Sequence, residues 1–199
     1  MDSLQTLNLQ GNAFSLLRPM TFANCTNLQT LYLDNNAISV IEPGAFIGLN
    51  SLSVLNISNN VIPNLENGTF NGLENLRRLN LSNLGIQTIT PEAFRGLKKT
   101  VFLDLSMNRI SKIKANTFKD LPQLRTLSLF SSGIKEIEGD AFSGQQHLLL
   151  LELRNNTISK LKKNTFNTLI SLSFLNLSSC SIEEVEPDAF LWIRRFIIA

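Results

Sequence analysis

The chain has 199 residues, 17% of them charged, with a formal net charge of +2. That balance excludes a globally basic nucleic-acid binder, and no apolar run approaches the roughly 18 residues that a membrane-spanning helix needs. One histidine and two cysteines leave little material for acid–base catalysis, a disulfide framework or a metal centre.

Residues 1–20 already follow the pattern of the rest of the chain and lack the basic start and apolar core of a signal peptide. A period of 24 residues begins there. Leu4, Leu28, Leu52, Leu76, Thr100, Leu124, Leu148 and Leu172 share one position, and Phe22, Phe46, Phe70, Phe94, Phe118, Phe142, Phe166 and Phe190 share another. Eight repeats keep this register without an insertion, and the tail continues it, with Ile193 on an apolar position and Phe196 opening a ninth unit. The array is expected to be one unit over residues 1–199 without end caps, and so to read as a piece of a longer chain.

Each repeat opens with L-x-x-L-x-L, whose last four residues alternate apolar and polar as a short strand does. One such strand cannot bury its apolar side alone, so the repeats must stack. The expected fold class is an α/β solenoid: a curved right-handed coil with a concave parallel sheet of about eight short strands and a convex side of loops and 3-10 turns. At about 4.8 Å between strands the rod would be roughly 38 Å long.

A longer period of two repeats is superimposed. Odd units keep an asparagine after the strand (Asn12, Asn60, Asn108, Asn156) and place Thr21, Thr69, Thr117 or Thr165 before the phenylalanine. Even units place Ala45, Ala93, Ala141 or Ala189 there and vary the asparagine position: Asn36, Leu84, Ser132, Cys180. Duplication of a repeat pair explains this. The amides of Asn12, Asn36, Asn60, Asn108 and Asn156 are expected to form a structural ladder that satisfies backbone groups, with loosening or an ordered water near Leu84.

Charge follows the doubled period too. Lys112, Glu136, Lys160 and Glu184 form one column and Lys114, Glu138, Lys162 and Glu186 the next, so neighbouring coils alternate in sign. Ladder pairing is the simpler reading; a lateral basic patch of Lys112, Lys114, Lys160, Lys162 and Lys163 binding a polyanion is the sharper one. Outward strand positions carry apolar residues in the second half of the chain, which points to partner contact. Phe102, Phe130, Glu152, Arg154 and Phe174 are the candidate contact residues there.

The motif LxxLxLxxNxIxxIxxxxFxxLxx resembles the 24-residue extracellular leucine-rich repeat, over essentially the whole chain. Stretches such as LQTLYLDNNAISVIEPGAFIGLNSL and VFLDLSMNRISKIKANTF are most similar to Toll-like receptor ectodomains. That resemblance implies a non-enzymatic module facing the extracellular or lumenal side. Its partner would be a protein or a microbial ligand, and the full-length protein would dimerise. Nucleic acid is a less favoured ligand, because the interleaved acids cancel the field of the lateral lysines. The alternative is an adhesion, guidance or matrix protein built on the same coil.

The resemblance also makes glycosylation at the N-x-Ser/Thr sequons plausible: Asn24, Asn56, Asn67, Asn80, Asn155 and Asn176. Asn56, Asn80 and Asn176 share one outward strand position, where glycans would obstruct the concave face and move contact to a lateral edge. Cys25 and Cys180 occupy core positions more than six coils apart, so they are expected to be buried thiols that cannot pair. No cofactor or metal is expected, since His147 has no nucleophile or acid placed beside it in the motif and the glycines form no phosphate loop.

Overall fold

The structure, a computed structural model, describes residues 3–190. The expected positions of Ile193 and Phe196, and with them the ninth unit, lie outside those residues.

Eight three-residue strands form one continuous parallel sheet in chain order: Thr6–Asn8, Thr30–Tyr32, Val54–Asn56, Arg78–Asn80, Phe102–Asp104, Thr126–Ser128, Leu150–Glu152 and Phe174–Asn176. The register advances by one repeat at each step, as in Leu31↔Leu55 and Leu127↔Leu151. The middle leucine of each strand points inward: Leu31, Leu55, Leu79, Leu103, Leu127 and Leu151 are fully buried, while their flanking residues are not. The strands are short because the chain must turn after them. Asn35, Asn59, Asn83 and Asn155 take φ of 53–56° in that turn, in the left-handed region that asparagine tolerates better than most residues.

The phenylalanines form a spine behind the sheet. From Phe22 to Phe190 each ring stacks on the next, with centroids 5.9–6.5 Å apart and planes within 20°. Those spacings lie in the favourable aromatic range. They also exceed the roughly 4.8 Å between parallel strands. Each coil is therefore a wedge, narrow at the sheet and wide at the spine, and the stack of wedges curves with the sheet on its concave side.

No helix occurs among the described residues. The convex side is a run of turns closed by bonds from an N–H to the carbonyl three residues earlier, such as Cys25 to Phe22 (2.9 Å) and Leu28 to Cys25 (3.0 Å). These are 3-10-like bonds that do not propagate. In the third coil Gly72, at φ +97°, interrupts them, because the turn there passes so close to the preceding coil that a Cβ would lie 2.6 Å from the Phe46 carbonyl oxygen.

The doubled period of the sequence has a structural counterpart that the repeat pattern did not announce. Two-residue strands follow the main ones and pair only within doublets: Leu16–Leu17 with Val40–Ile41, Asn64–Leu65 with Thr88–Ile89, Lys112–Ile113 with Glu136–Ile137, and Lys160–Leu161 with Glu184–Val185. In odd coils the threonine hydroxyl then locks the next turn. Thr21, Thr69, Thr117 and Thr165 donate to the carbonyls of Arg18, Glu66, Lys114 and Lys162 at 2.7–2.9 Å.

The asparagine ladder is present. Asn60 Nδ2 donates to Leu33, Ile57 and Ser58 carbonyls, and its Oδ1 accepts the N–H of Ile38. Asn36, Asn108 and Asn156 repeat the arrangement, while Asn12, in the first coil, is exposed and reaches only its own coil. Ser132 and Cys180 substitute a hydroxyl and a thiol, each donating to the carbonyl that an asparagine would reach in the preceding coil (Leu105 at 2.9 Å, Leu153 at 3.1 Å).

The expectation of loosening at Leu84 needs correction. Leu84 is buried at 1% exposure, and Asn108 Oδ1 accepts both the Leu84 and Ile86 N–H groups, so the neighbouring amide satisfies this coil's donors. Cys180 is buried as expected, but Cys25 is half-buried because it sits in a convex turn between exposed Asn24 and Thr26.

Candidate ligand-binding surfaces

Three surfaces compete for a functional role: the lateral charge ladder, the aromatic part of the concave sheet, and a cleft where the chain enters the central strands.

On the lateral side the short second strands place lysines and glutamates in facing columns. Lys112 Nζ reaches Glu138 at 2.7 Å and Glu136 at 3.1 Å; Lys160 Nζ reaches Glu184 at 2.8 Å and Glu186 at 2.9 Å; Lys162 Nζ reaches Glu136 at 2.8 Å. These bonds shift titration in both directions. Lys112 is raised by its bonds to Glu138 and then Glu136, and Lys160 by Glu184 and then Glu186. Glu136 is lowered by Lys162 and then Lys112, and Glu138 by Lys112 and then the Ala115 N–H. Glu186 is lowered first by the Lys163 N–H and then by Lys160. Three of the five lysines of the supposed basic patch are thus occupied by carboxylates. Lys114 and Lys163 make no side-chain ion pair among the described residues.

On the concave sheet, four residues come together as one chain of contacts. The Arg154 guanidinium lies over the Phe130 ring at 4.6 Å, its Nε is 3.8 Å from Glu152 Oε1, and Glu152 Oε2 accepts a bond from Asn176 Nδ2 at 3.2 Å. Phe174 adjoins this group through the strand register Leu150↔Phe174 and is 48% exposed. Phe102 is apart from it, half-buried beneath Arg78, whose guanidinium carbon is 4.4 Å from the ring centroid. The exposed phenylalanines expected from sequence are therefore partly covered by cations.

The outward column that holds three sequons has a second job. The side-chain oxygens of Asn8, Asn56, Asn80, Asp104 and Asn176 each accept the N–H two residues on, at 2.9–3.1 Å, and so cap the turn that ends the strand. The Asn-x-Ser pattern at Asn56, Asn80 and Asn176 is in part this cap, and these residues are half-buried. Asn24, Asn67 and Asn155 are exposed.

The third surface was not recognised in the sequence. Arg77, Lys98, Lys99, Val101, Gln123 and Arg125 line a cleft of about 630 Å³ at the entry to the strands. The available signal was positional: Arg77 and Arg125 occupy the same repeat position two coils apart, and Lys98–Lys99 falls in the turn between them.

Among the described residues no group of three or more His, Cys, Asp or Glu side chains is placed to hold a metal, and no helix is long and apolar enough to cross a membrane. His147 is exposed in a turn.

A solenoid of stacked 24-residue coils with one parallel sheet and an asparagine ladder defines a leucine-rich-repeat module. The comparisons agree: the leucine rich repeat family matches residues 2–62, 26–83, 52–110, 82–134 and 122–182, and the chain belongs to that family. Among solved structures it is similar to that titled "Crystal structure of TLR13-ssRNA13 complex", at 34% sequence identity and a TM-score of 0.83. That match covers 86% of this chain and 24% of the other. The chain thus resembles a Toll-like receptor ectodomain and spans about a quarter of that relative's length. No curated protein matches.

Proposed function

We propose that this chain is part of the ectodomain of a Toll-type innate immune receptor, a non-catalytic glycoprotein module on the extracellular or lumenal side of a membrane. Its solenoid surface recognises a microbial ligand or a protein partner, and segments beyond it supply dimerisation and signalling. The observation that carries this reading is the 34% identity held over 86% of the chain, in the same fold, with a Toll-like receptor. A further feature supports it: the exposed sequons Asn24, Asn67 and Asn155 suit a glycosylated chain.

The second reading, an adhesion or matrix leucine-rich-repeat protein, is favoured by the Phe130–Arg154–Glu152 cluster, whose aromatic and arginine content suits a protein partner. Sequencing the parent transcript in both directions decides between them. A membrane span followed by a Toll-type signalling domain is the expected result. Immunoglobulin or fibronectin modules would overturn the first reading in favour of the second.

A further inference from the structure

Two asparagine–glycine pairs occur in the chain, both in the third coil: Asn67–Gly68 and Asn71–Gly72. Each forms the centre of a turn. Thr69 N–H donates to the Glu66 carbonyl across the first, and Leu73 N–H to the Phe70 carbonyl across the second, both at 3.3 Å. Both asparagines are exposed, and among the described residues the N–H groups of Gly68 and Gly72 donate no hydrogen bond. An asparagine amide before a glycine is unusually reactive, because glycine has no β-carbon to screen its own backbone nitrogen from the neighbouring side chain.

The fold separates the two pairs. A Cβ placed on Gly68 would meet only the Asn71 side chain, with its Nδ2 at 3.3 Å, so this turn faces open space. One placed on Gly72 would lie 2.6 Å from the Phe46 carbonyl oxygen and 3.0 Å from the Ile47 Cα, which are backbone atoms of the preceding coil. For the glycine nitrogen to reach the asparagine Cγ, the peptide plane between the two residues must rotate. At Asn67 the Thr69 hydroxyl ties the ends of the turn, donating to the Glu66 carbonyl at 2.9 Å and accepting its N–H at 3.3 Å, but it leaves the central peptide free. At Asn71 the same rotation drives backbone against backbone.

We propose that Asn67 is a site of spontaneous deamidation, and that packing against the second coil withholds the same reaction from Asn71. The Gly68 nitrogen attacks Asn67 Cγ, and a C–N bond forms as the Cγ–Nδ2 bond breaks. The proton of the attacking nitrogen passes through solvent to Nδ2, which leaves as ammonia. Water then opens the cyclic imide. Cleavage at Cγ gives aspartate; cleavage of the original peptide bond gives isoaspartate, with the main chain rerouted through the side chain. Nothing is oxidised or reduced. Either product adds a carboxylate beside Glu66, in a coil (residues 52–75) that has no lysine or arginine to balance it. Asn67–Gly68–Thr69 is also a sequon, so two modifications contend for one nitrogen. A glycan on Nδ2 replaces the leaving group, and deamidation removes the glycan's acceptor.

The test incubates the purified chain, made in a host that adds no N-glycans, in mildly alkaline buffer and follows each asparagine by peptide mass spectrometry. Labelling by an isoaspartyl methyltransferase distinguishes the two acids. Asn67 is expected to convert faster than every other asparagine and about tenfold faster than Asn71, the strain of moving a packed backbone setting the difference. In urea, where that packing is gone, the two rates should converge. The Asn67 rate should rise with hydroxide concentration, because the attacking nitrogen must lose its proton. Gly68→Ala sets a β-carbon beside that nitrogen at a φ of +86° and should slow conversion about tenfold, with circular dichroism confirming the fold. Asn67→Gln asks for no strained backbone and should abolish the fast phase of ammonia release even if the alanine variant misfolds. Equal rates at Asn67 and Asn71 in the folded chain, or a faster asparagine elsewhere, overturn the proposal. A difference that persists in urea overturns it too, since local sequence would then set the rates. These outcomes leave the receptor reading standing, and the transcript test leaves them unaffected.

Discussion

Asn108 accepts the backbone N–H of Leu84 through its side-chain oxygen, 3.1 Å away and one coil later in the array. The same oxygen accepts Ile86 N–H at 3.0 Å while Nδ2 donates to the Leu81, Leu105 and Ser106 carbonyls, so one buried amide serves two coils. Asn108→Ala should therefore leave several buried backbone groups unpaired and cost about 3 kcal/mol in urea unfolding. Asn12→Ala, at an exposed site bonded only within its own coil, should stay within about 0.5 kcal/mol. Equal effects would show that the ladder is ornamental to stability.

The phenylalanine spine sets a second contrast. Phe94 is fully buried between Phe70 and Phe118, at 6.3 and 6.1 Å. Phe94→Ala should destabilise by about 3–5 kcal/mol through lost burial and the cavity it leaves. Phe174→Ala, on the concave surface, should cost less than about 1 kcal/mol, so a stability loss confined to Phe94 is the expected thermal-denaturation result.

Gly72 and Gly96 share a repeat position and a positive φ, +97° and +95°, yet differ in surroundings. A Cβ at Gly72 would lie 2.6 Å from the Phe46 carbonyl oxygen, whereas one at Gly96 would meet nothing within 4 Å. Alanine should cost about 1–2 kcal/mol at Gly96 from backbone strain alone, and clearly more at Gly72, where a coil must also shift. Chemical denaturation of the two single variants measures the difference directly.

The charge ladder gives a pH signature. Glu136, Glu138 and Glu186 titrate below the ordinary glutamate range, so their contribution is present above that range and is lost as pH falls through the depressed values. Lys112 and Lys160 titrate above the ordinary lysine range, so theirs is present below it and is lost as pH rises past the raised values. The ladder's contribution to Tm should be flat from about pH 5 to 10 and fall on both sides. Because the groups are exposed, the effect should be small and should fade in high salt. Pairing Glu138→Gln with Glu186→Gln should shrink the acid limb, as thermal scans across pH would show.

Thiol labelling separates the two cysteines. Burial pushes the Cys180 thiol above its ordinary value and leaves it 2% exposed, while Cys25 is half-buried in a turn. Iodoacetamide should modify Cys25 first and Cys180 only on unfolding, as read by peptide mass spectrometry. Equal rates in the folded chain would contradict the core placement of Cys180.

The repeat architecture was legible because every coil states it again. A leucine inside, a polar residue outside and a phenylalanine at a fixed distance leave one way to bury the apolar side. What escaped the sequence depends on which side chain reaches which neighbour. Arg78 covers Phe102, and Arg154 covers Phe130, so residues that look exposed in the pattern are half-shielded. The pairing of Lys112 and Lys160 with carboxylates, by contrast, is the simpler reading of the alternating columns, and the structure closes those pairs. Arg77, Lys98, Lys99 and Arg125 lie on three different positions of the repeat and become one surface only when three coils stack. Leu84 looked like a defect because a template assigns each coil its own asparagine, whereas the amide of Asn108 reaches backward.

The mismatch between rings 5.9–6.5 Å apart at the back and strands about 4.8 Å apart at the front sets the curvature of the arch. Its radius is written into the packing of identical residues. Whatever docks on the concave side must bring a matching convex profile or supply the flexibility itself. A pliant chain would follow such a surface more readily than a stiff, flat partner.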